Sequence, residues 1–500
     1  MAYILAQYTI RSKQDYVFRS NRITEIIGAS ENISRSWDIL FEQAEKAGKK
    51  VRKSECEKFF DMNEVERAFE EHSLNMVELF RGGGNDMVLF DSPETFRDVN
   101  KAFSRYLLEH FPGMVPMAAG VEYTGNYQKD HACLMEESDR EKNCMISGQG
   151  SFILPFSMMD RNTFQPYSRV LSYKGEQIRL TEENFSKRKA GRKLSQRDPD
   201  VMLLDNMVTQ KGEESLLAVV HADGNNMGIK ISQMLKGISD YSTCVSKMRQ
   251  FTRDTAQAFT EDGMSAMQER QEKLREKYGD IYKDSAFLYR KIVADGDDVT
   301  FICNAHFAIE YVRAYLESVQ DYRKRHGSQW EYSSCAGICI FHSHYPFARA
   351  YTLAEQACDN AKVMVHGGDP VEEGWIDFHY IHNGIGGELD SLRDHQGTAE
   401  RIARPWLITG ADSKNSRSYK MLRKLDSLLR EYKVSRSDIK TVGSEYESGS
   451  SYGEQELIRI YGHHRGLQKA VEIEFPEKSR LLKMLYDLSE VYDLWFREGR

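Results

Sequence analysis

The sequence predicts an α+β protein in which two like modules stand in tandem before a helical domain. Three observations carry that expectation. Strand-like and helix-like stretches follow one another in the same order twice, each copy has a polar hairpin turn at the same place, and the pattern beyond residue 390 is helical. A chain of 500 residues has room for about three domains at roughly 150 residues each.

In the first copy "AYILAQYTI" (2–10) reads as a buried strand. "NRITEIIGASENISRSWDILFEQAEKAG" reads as helical, with Ser30 as a cap before the run Glu31 to Glu45. "MVELFRGGGNDMVLFD" (76–91) is strand, glycine turn, strand. The next helix, "SPETFRDVNKAFSRYLLEHF", places Phe96, Val99, Phe103 and Leu107 on one face. Pro93 sits near its start, where a missing N–H costs little. "MVPMAAGVEY" closes the copy as a strand.

The second copy opens with "LLAVVHADGN", a strand ending in an acidic turn. A long polar helix covers roughly 240–278. "AFLYRKIVADGDDVTFICN" is again strand, turn, strand. "AHFAIEYVRAYLESVQDYRKRH" is a helix and "YSSCAGICIFH" a strand. "PFARAYTLAEQACDNAKVMVHGG" is a helix with Pro346 in its first turn and Gly367 as its stop. "HGGDP" (366–370) reads as that helix's end and a turn.

The hairpin turns align as Gly83-Gly84-Asn85-Asp86 against Asp295-Gly296-Asp297-Asp298, and the later strands align through Ala119-Gly120 and Ala336-Gly337. The plainer alternative is a chance match of generic α/β patterns. Only the second copy has an acid, Asp223, at the end of its opening strand, so the first reads as degenerate. The domains expected are 1–130, a first and degenerate module; 131–210, an irregular linker region; 211–390, an equipped module; and 391–500, a helical domain. The basic run "KRKAGRK" (187–193) reads as a solvated face. "GSEYESGSSYGE" reads as a loop between the C-terminal helices.

Composition narrows the function classes. Hydrophobic residues at 40% and charged ones at 29% are ordinary for a soluble globular protein. A net charge of −8 gives no sign of a strongly basic nucleic-acid binder, although it leaves room for a local basic groove. The N-terminus lacks the basic lead and apolar length of a signal peptide, and no apolar run approaches the ~20 residues that span a bilayer. The eight cysteines include no CxxC pair. Cys335 and Cys339, four apart on a strand, read as core packing rather than metal ligands. The expectation is a cytoplasmic, reduced protein with no membrane association.

Chemistry is concentrated in two segments of the second copy. "HADGNNMG" sets Asp223 at a strand end, with Gly224 and Gly228 leading into a helix. "ADGDD" sets Asp297 and Asp298 at a hairpin tip. Carboxylates that close repel unless a positive charge lies between them. Adjacent strand ends could bring the three acids together as ligands for two divalent ions, Mg2+ or Mn2+, about 3.5–4 Å apart. The glycines would let backbone N–H groups approach phosphates. Lys362 in "CDNAK" could face a triphosphate, though spacing alone favours an exposed helix lysine. A bare Asp-Gly turn is also a common hairpin signal without any metal.

These stretches together resemble a known family, the polymerase-cyclase large subunit of type III CRISPR effector complexes. "ADGDD" resembles its GGDD hairpin. "LLAVVHADGNNMG" resembles its opening strand with the pattern Asp-x-Asp-Asn-x-Gly, and "SCAGICIFHSHYPFARAYTLAEQACDNAK" its strand and helix after the hairpin. "DFHYI" (377–381) and "ARPW" (403–406) resemble its trailing region, while "SNRITEIIGASENI" and "RGGGNDMVLF" resemble its first, inactive palm.

The resemblance covers most of residues 1–410. It implies two ferredoxin-like palm domains in tandem plus a C-terminal helical domain. It implies catalytic, metal-holding Asp223, Asp297 and Asp298. It also implies nucleotide contacts from Gly224, Asn225, Asn226, Gly228, Gly296 and Lys362, and from Gly83, Gly84 and Asn85 of the first palm. The implied reaction converts nucleoside triphosphates, ATP foremost, into a cyclic oligoadenylate messenger of antiviral defence. The expected partners are nucleoside triphosphates, with RNA or CRISPR-like effector subunits and a second copy of the chain left open.

Four departures stand out: Asp295 in place of the first glycine, Asn225 in place of the second acid, no N-terminal nuclease domain or His-Asp dipeptide, and a short chain. They point to a reduced or stand-alone relative. Two other readings stay open, a non-catalytic nucleotide- or RNA-binding scaffold and a GGDEF-type cyclic-dinucleotide synthase.

Overall fold

The computed structural model describes residues 2–20, 22–54, 59–145, 156–161, 163–173, 176–197, 207–208, 215–366, 372–382, 387–395, 397, 399–410 and 417–494. The first strand, β1 (Ile4–Arg11), leads into α1 (Lys13–Phe18) and the long α2 (Ile23–Lys46). Then come β2 (Val51–Arg52), α3 (Met62–Glu70), the hairpin β3 (Met76–Gly82) and β4 (Asn85–Phe90), α4 (Pro93–His110), β5 (Val115–Glu122) and α5 (Tyr127–Cys144). A small hairpin, β6 (Arg169–Tyr173) and β7 (Glu176–Leu180), precedes α6 (Glu182–Arg197).

The second half starts with β8 (Leu216–Gly224), followed by α7 (Met227–Leu235) and α8 (Tyr241–Thr255). A π-helical turn at Ala256–Asp262 runs into α9 (Gly263–Tyr278). The hairpin β9 (Tyr289–Asp295) and β10 (Asp298–Asn304), α10 (Ala308–His326), β11 (Ser334–His342), α11 (Phe347–His366), β12 (Gly374–Tyr380), α12 (Leu389–His395) and β13 (Trp406–Thr409) complete it. The C-terminal helices are α13 (Tyr419–Glu431), α14 (Arg436–Ser448), α15 (Ser450–His463), α16 (Leu467–Glu474) and α17 (Lys478–Val491).

The duplication is written in the sheet orders. One sheet runs β2-β3-β4-β1-β5 and the other β13-β12-β11-β8-β10-β9. Within them β3-β4-β1-β5 and β9-β10-β8-β11 repeat one order, each with its opening strand between the second hairpin strand and the closing strand. β1 pairs antiparallel with β4 and β5, and β8 antiparallel with β10 and β11. This is the ferredoxin-like arrangement expected of tandem palms, with a helical C-terminal region following.

By compactness the chain divides into two units. One holds residues 1–203, 226–260 and 292–297. The other holds 204–225, 261–291 and 298–500. Among the described residues no helix is long and apolar enough to cross a membrane.

Local chemistry explains the elements. β8 is buried on both faces apart from Leu216 and Asp223, so its sequence is a nearly continuous apolar run rather than an alternation. Ser92 accepts a hydrogen bond from Thr95 N (3.2 Å) ahead of Pro93, and Asp240 accepts from Thr243 N (2.8 Å), so α4 and α8 start at capped ends. Cys335 and Cys339 are buried in β11, as core residues.

Several expectations are corrected. Ser30 caps nothing, because α2 runs unbroken from Ile23. Residues 131–210 are not irregular where described: α5 extends through 144, and β6, β7 and α6 follow. The run "KRKAGRK" lies in α6, and it is not simply a solvated face. Lys187 is buried, bonding Glu183 Oε1 (2.6 Å) and Tyr16 O (2.5 Å). α6 packs closely on α2 through two glycines. A Cβ on Gly28 would fall 1.8 Å from Lys187 O, and one on Gly191 2.0 Å from Thr24 O. "GSEYESGSSYGE" is two helices broken at Gly449, with Tyr446 and Gly453 packed together. Small residues there allow close packing, and composition alone disguised them as a loop. "HGGDP" lies outside the described residues beyond position 366.

The hairpin alignment shifts by one. The two-residue turns are Gly83-Gly84 and Gly296-Asp297, so Asn85 matches Asp298, and Asp86 matches Val299. Both Asp86 and Val299 are wholly buried, in strands buried on both faces beyond their first residue.

Candidate nucleotide site

The register of β8 and β10 builds the acidic end. Thr300 stands opposite His221 and Val299 opposite Ala222, so Asp298 and Asp223 are the next pair outward. Directly opposed residues on antiparallel strands have Cα atoms roughly 4.5–5.5 Å apart. The period of two puts His221 and Asp223 on the same face of β8, and Thr300 and Asp298 on the matching face of β10. The Asp223 and Asp298 side chains are each about one-third exposed.

Helix α11 covers this face. Tyr351, Glu355, Cys358 and Lys362 recur at helical spacing. Lys362 is not an exposed helix lysine. Its side chain is 16% exposed, and its ammonium bonds the Asp223 carboxylate and Gly224 O, the latter at 3.2 Å. Burial works to lower its pKa, but Asp223 prevails and raises it, so the amine stays charged. Tyr351 packs edge-on against the His221 ring at 5.7 Å between centroids. Burial lowers the His221 pKa, with Asp223 opposing, which favours a neutral ring. Burial and the nearby Asp298 raise the Tyr351 hydroxyl's pKa, which keeps it protonated.

The remaining sequence-picked residues fall into two groups. Gly83, Asn85, Gly228, Gly296 and Asp297 all line one cavity of about 720 Å3, whose walls include Phe80, Met248 and Phe251. Gly83 and Gly296 both have positive φ, and a Cβ on Gly83 or Gly228 would meet open space, so the glycines leave backbone N–H groups accessible. Asn225 goes elsewhere. It is fully buried, with its amide donating to Ser333 Oγ and Glu373 O, both at 2.8 Å. It fastens the end of β8 to the neighbouring segments of the chain. Asn226, at left-handed φ, starts α7. Gly84 is not among the cavity's lining residues.

Among the described residues, no group of three or more His, Cys, Asp or Glu stands together as a metal cluster. Sequence reasoning passed over His221 and Tyr351. The first could have been found from its place two residues before Asp223 on the same strand face. The second depends on how α11 docks, which no local pattern encodes.

Comparison with known proteins coincides with this region. Residues 216–367 match the family model described as Cas10/Cmr2, second palm domain. Over this segment the chain is similar to that family. The segment contains Asp223, the β9–β10 hairpin and Lys362, so the resemblance read from the sequence is upheld.

No curated protein matches the chain. Solved structures similar to it include a Csm1-Csm4 cassette in complex with cA4 (12% identity, TM-score 0.47) and one in complex with pppApA (12%, TM-score 0.48). Csm1 in T.onnurineus is another (13%, TM-score 0.46). Each comparison covers 98% of this chain and 69% of the other. At such identity and TM-score these likenesses decide nothing about activity or partners.

Proposed function

We propose that the chain is a nucleotidyltransferase that joins nucleoside triphosphates, ATP foremost, into a cyclic oligonucleotide messenger of antiviral defence. The observation that carries this is the paired strand-end carboxylates Asp223 and Asp298, with Lys362 bound to Asp223, inside the Cas10/Cmr2-type palm. In the reaction a ribose 3′-hydroxyl oxygen forms a bond to the α-phosphorus of a second nucleotide. The bond from that phosphorus to the β-phosphate bridging oxygen breaks, the hydroxyl proton leaves, and pyrophosphate departs.

The donor set suits Mg2+ or Mn2+, which prefer carboxylate oxygens, and the Lys362 ammonium already marks a place for positive charge at Asp223. Asp223 and Asp298, with Asp297 next along the chain, would hold the ion. Bound there, it would lower the pKa of the attacking hydroxyl and offset charge on the leaving pyrophosphate. The protein's own groups do the rest. Lys362 exchanges Asp223 for a triphosphate oxygen. Taken by itself, the other compact unit has a cavity bordered by Gly83, Gly228 and Gly296, with apolar walls from Phe80, Met248 and Phe251, a lining suited to a nucleotide.

Incubation with all four triphosphates and Mg2+ or Mn2+, read by pyrophosphate release and product mass, tests the reading. A cyclic oligoadenylate is the expected product, and a cyclic dinucleotide would instead favour the GGDEF-type reading. Pyrophosphate release that persists in an Asp297→Ala/Asp298→Ala protein sinks the assignment of these residues.

A second reading has one observation in its favour. Asn225 stands where the family pattern has an acid and is tied into the protein. A non-catalytic scaffold in an RNA-guided assembly would then co-purify with RNA and partner subunits and turn over no nucleotide.

A further inference from the structure

We propose that a small basic cavity at the start of α17 is an anion site that takes one phosphate group. It lies wholly in the unit that holds residues 298–500, and it does not rest on the nucleotidyltransferase reading.

The cavity has a volume of about 190 Å3. Three half-buried cations line it, Arg417, Arg480 and Lys483. Arg480 and Lys483 stand three apart on α17, so they share one helix face. Arg417 precedes α13, and its place is fixed. Its carbonyl accepts from Leu407 N of β13 (2.9 Å), and its guanidinium NH1 reaches Met364 Sδ of α11 at 3.4 Å. Ala403, whose N–H donates to buried Asp487 at 3.2 Å, forms part of the wall.

Charge sets this cavity apart. Elsewhere in the C-terminal helices cations sit on carboxylates, Lys478 on Glu454 at 2.8 Å and Arg436 on Asp493 at 2.5 Å. Among the described residues, neither Arg480 nor Lys483 has such an ion pair. Glu477 is the only carboxylate of the described lining. It is exposed and accepts from Ser479 Oγ at 3.2 Å. Burial and the neighbouring Arg417 lower the Arg480 pKa, and Glu477 offsets them only in part. Cations gathered in this way repel one another, and an anion between them turns the repulsion into attraction.

Phosphate is the anion that fits. Its oxygens accept from the planar fork of an arginine, while a lysine adds a point charge. The Ser479 hydroxyl can turn from Glu477 to supply a further donor. At roughly 30 Å3 per water, the cavity holds one phosphate group and a few waters, with no room for a nucleoside as well. The rest of a phosphorylated ligand would lie outside it. Two sources share this chemistry, free phosphate and the terminal phosphate of an RNA strand.

The test uses the full chain without divalent cations. Wild type is compared with Arg480→Gln/Lys483→Gln, with Lys483→Arg, and with Lys478→Gln as a control at the same helix end. Inorganic phosphate is titrated against chloride at equal ionic strength, and binding is read by calorimetry and by the shift in thermal unfolding. A short 5′-phosphorylated single-stranded RNA and its 5′-hydroxyl form are the second pair of probes.

Phosphate should raise the unfolding temperature of wild type and of Lys483→Arg. In the double Gln variant its affinity should fall by about 10–100-fold, the range for losing hydrogen bonds to a charged group. Lys478→Gln should stay within about twofold of wild type. Tighter binding by the 5′-phosphorylated strand, lost in the double variant, assigns an RNA end as the source, and equal binding by the two strands assigns free phosphate. Both outcomes support the site. In chloride the double variant should unfold no earlier than wild type, because it has lost a repulsion, so lost binding is not mistaken for lost folding. A wild type that phosphate affects no more than chloride overturns the proposal. Equal phosphate binding by wild type and the double variant does the same. So does an equal loss in Lys478→Gln, which would show diffuse charge in place of a site.

Discussion

Replacing Lys362 by Met should tighten divalent-cation binding and weaken triphosphate binding at once. Met keeps the length of the aliphatic stem and removes the ammonium. In the structure that ammonium bonds the Asp223 carboxylate and Gly224 O, with its side chain only 16% exposed. A hydrogen bond to a charged partner contributes about 1.5–3 kcal/mol. Asp223 is about one-third exposed, so solvent recovers part of this, and about 1–2 kcal/mol is the fair figure. A cation that ligates Asp223 in the wild type must first displace Lys362 and gives up that amount. Without Lys362 the cost is gone, and 1–2 kcal/mol corresponds to about 5–30-fold tighter binding.

The triphosphate loses a positive partner in the same variant, so KM for ATP should rise. Mn2+ titration without nucleotide, followed by electron paramagnetic resonance, reads the first effect, and steady-state kinetics reads the second. Mn2+ affinity that is unchanged or weaker in Lys362→Met refutes the reasoning. It would mean that Asp223 is not a cation ligand, or that Lys362 does not compete for it.

Two further predictions concern stability. Arg404 is buried and bonds Asp487 Oδ1 (2.8 Å) and Glu490, with Asp377 at 3.5 Å. Arg404→Met leaves Asp487 and Glu490 without this buried cation, while Asp377 keeps Arg393, and should cost about 3–5 kcal/mol, read by urea unfolding through Trp406, whose Nε1 donates to Asp487. Burial works to raise the Glu490 pKa, but Arg404 overrides it and holds Glu490 at about 2, below its unfolded value. The stability this gives is present above the unfolded pKa and lost as pH falls toward 2, so the wild-type advantage should shrink in acid. Asp86, fully buried, has its pKa raised by burial and by Glu78, while Arg81 at 3.7 Å opposes. A folded pKa above the unfolded one means stability is lost as pH rises, so Asp86→Asn should gain on wild type in urea melts as pH rises above the usual carboxylate range. A constant difference would refute this.

The sequence made the palm topology legible because hydrophobic runs, capping residues and hairpin turns are local signals. Pro93, Ser92 and the Gly83-Gly84 turn all act within a few residues of where they stand. The shared face of Phe103 and Leu107 was legible for the same reason. The strand-end acids could be found because a carboxylate at the end of an apolar run is conspicuous. What stayed hidden depends on tertiary contact. Glu183 is a local helical partner four residues before Lys187, but nothing near them announces that Tyr16 will help bury the pair, and nothing near Asn225 announces Ser333 and Glu373. The role of Lys362 was undecidable from spacing, since an exposed lysine and one aimed at Asp223 look alike until the docking of α11 is known.

Asp295 was the residue that fitted least, an extra negative charge where a glycine was expected beside phosphate. Its surroundings answer that objection. A Cβ built on Gly84 would fall 1.6 Å from Lys13 Nζ and 2.7 Å from an Asp295 carboxylate oxygen, so both charged groups converge on Gly84. Lys13 Nζ also reaches Gly83 O at 3.4 Å. The Asp295 charge is therefore set toward the Gly83-Gly84 turn and an ammonium. Asp295 does not line the cavity that Gly296 and Asp297 line, and Gly84 is absent from that lining for the same reason. Gly84, with φ +67, has no room for a side chain, whereas Gly83, with φ +58, borders the cavity with open space around it. The two turn glycines thus differ: Gly84 sits against the Lys13 and Asp295 side chains, and Gly83 borders the cavity. Asp295, which stands where the resembling family has glycine, is therefore set at the Gly83-Gly84 turn, while Gly296 borders the cavity.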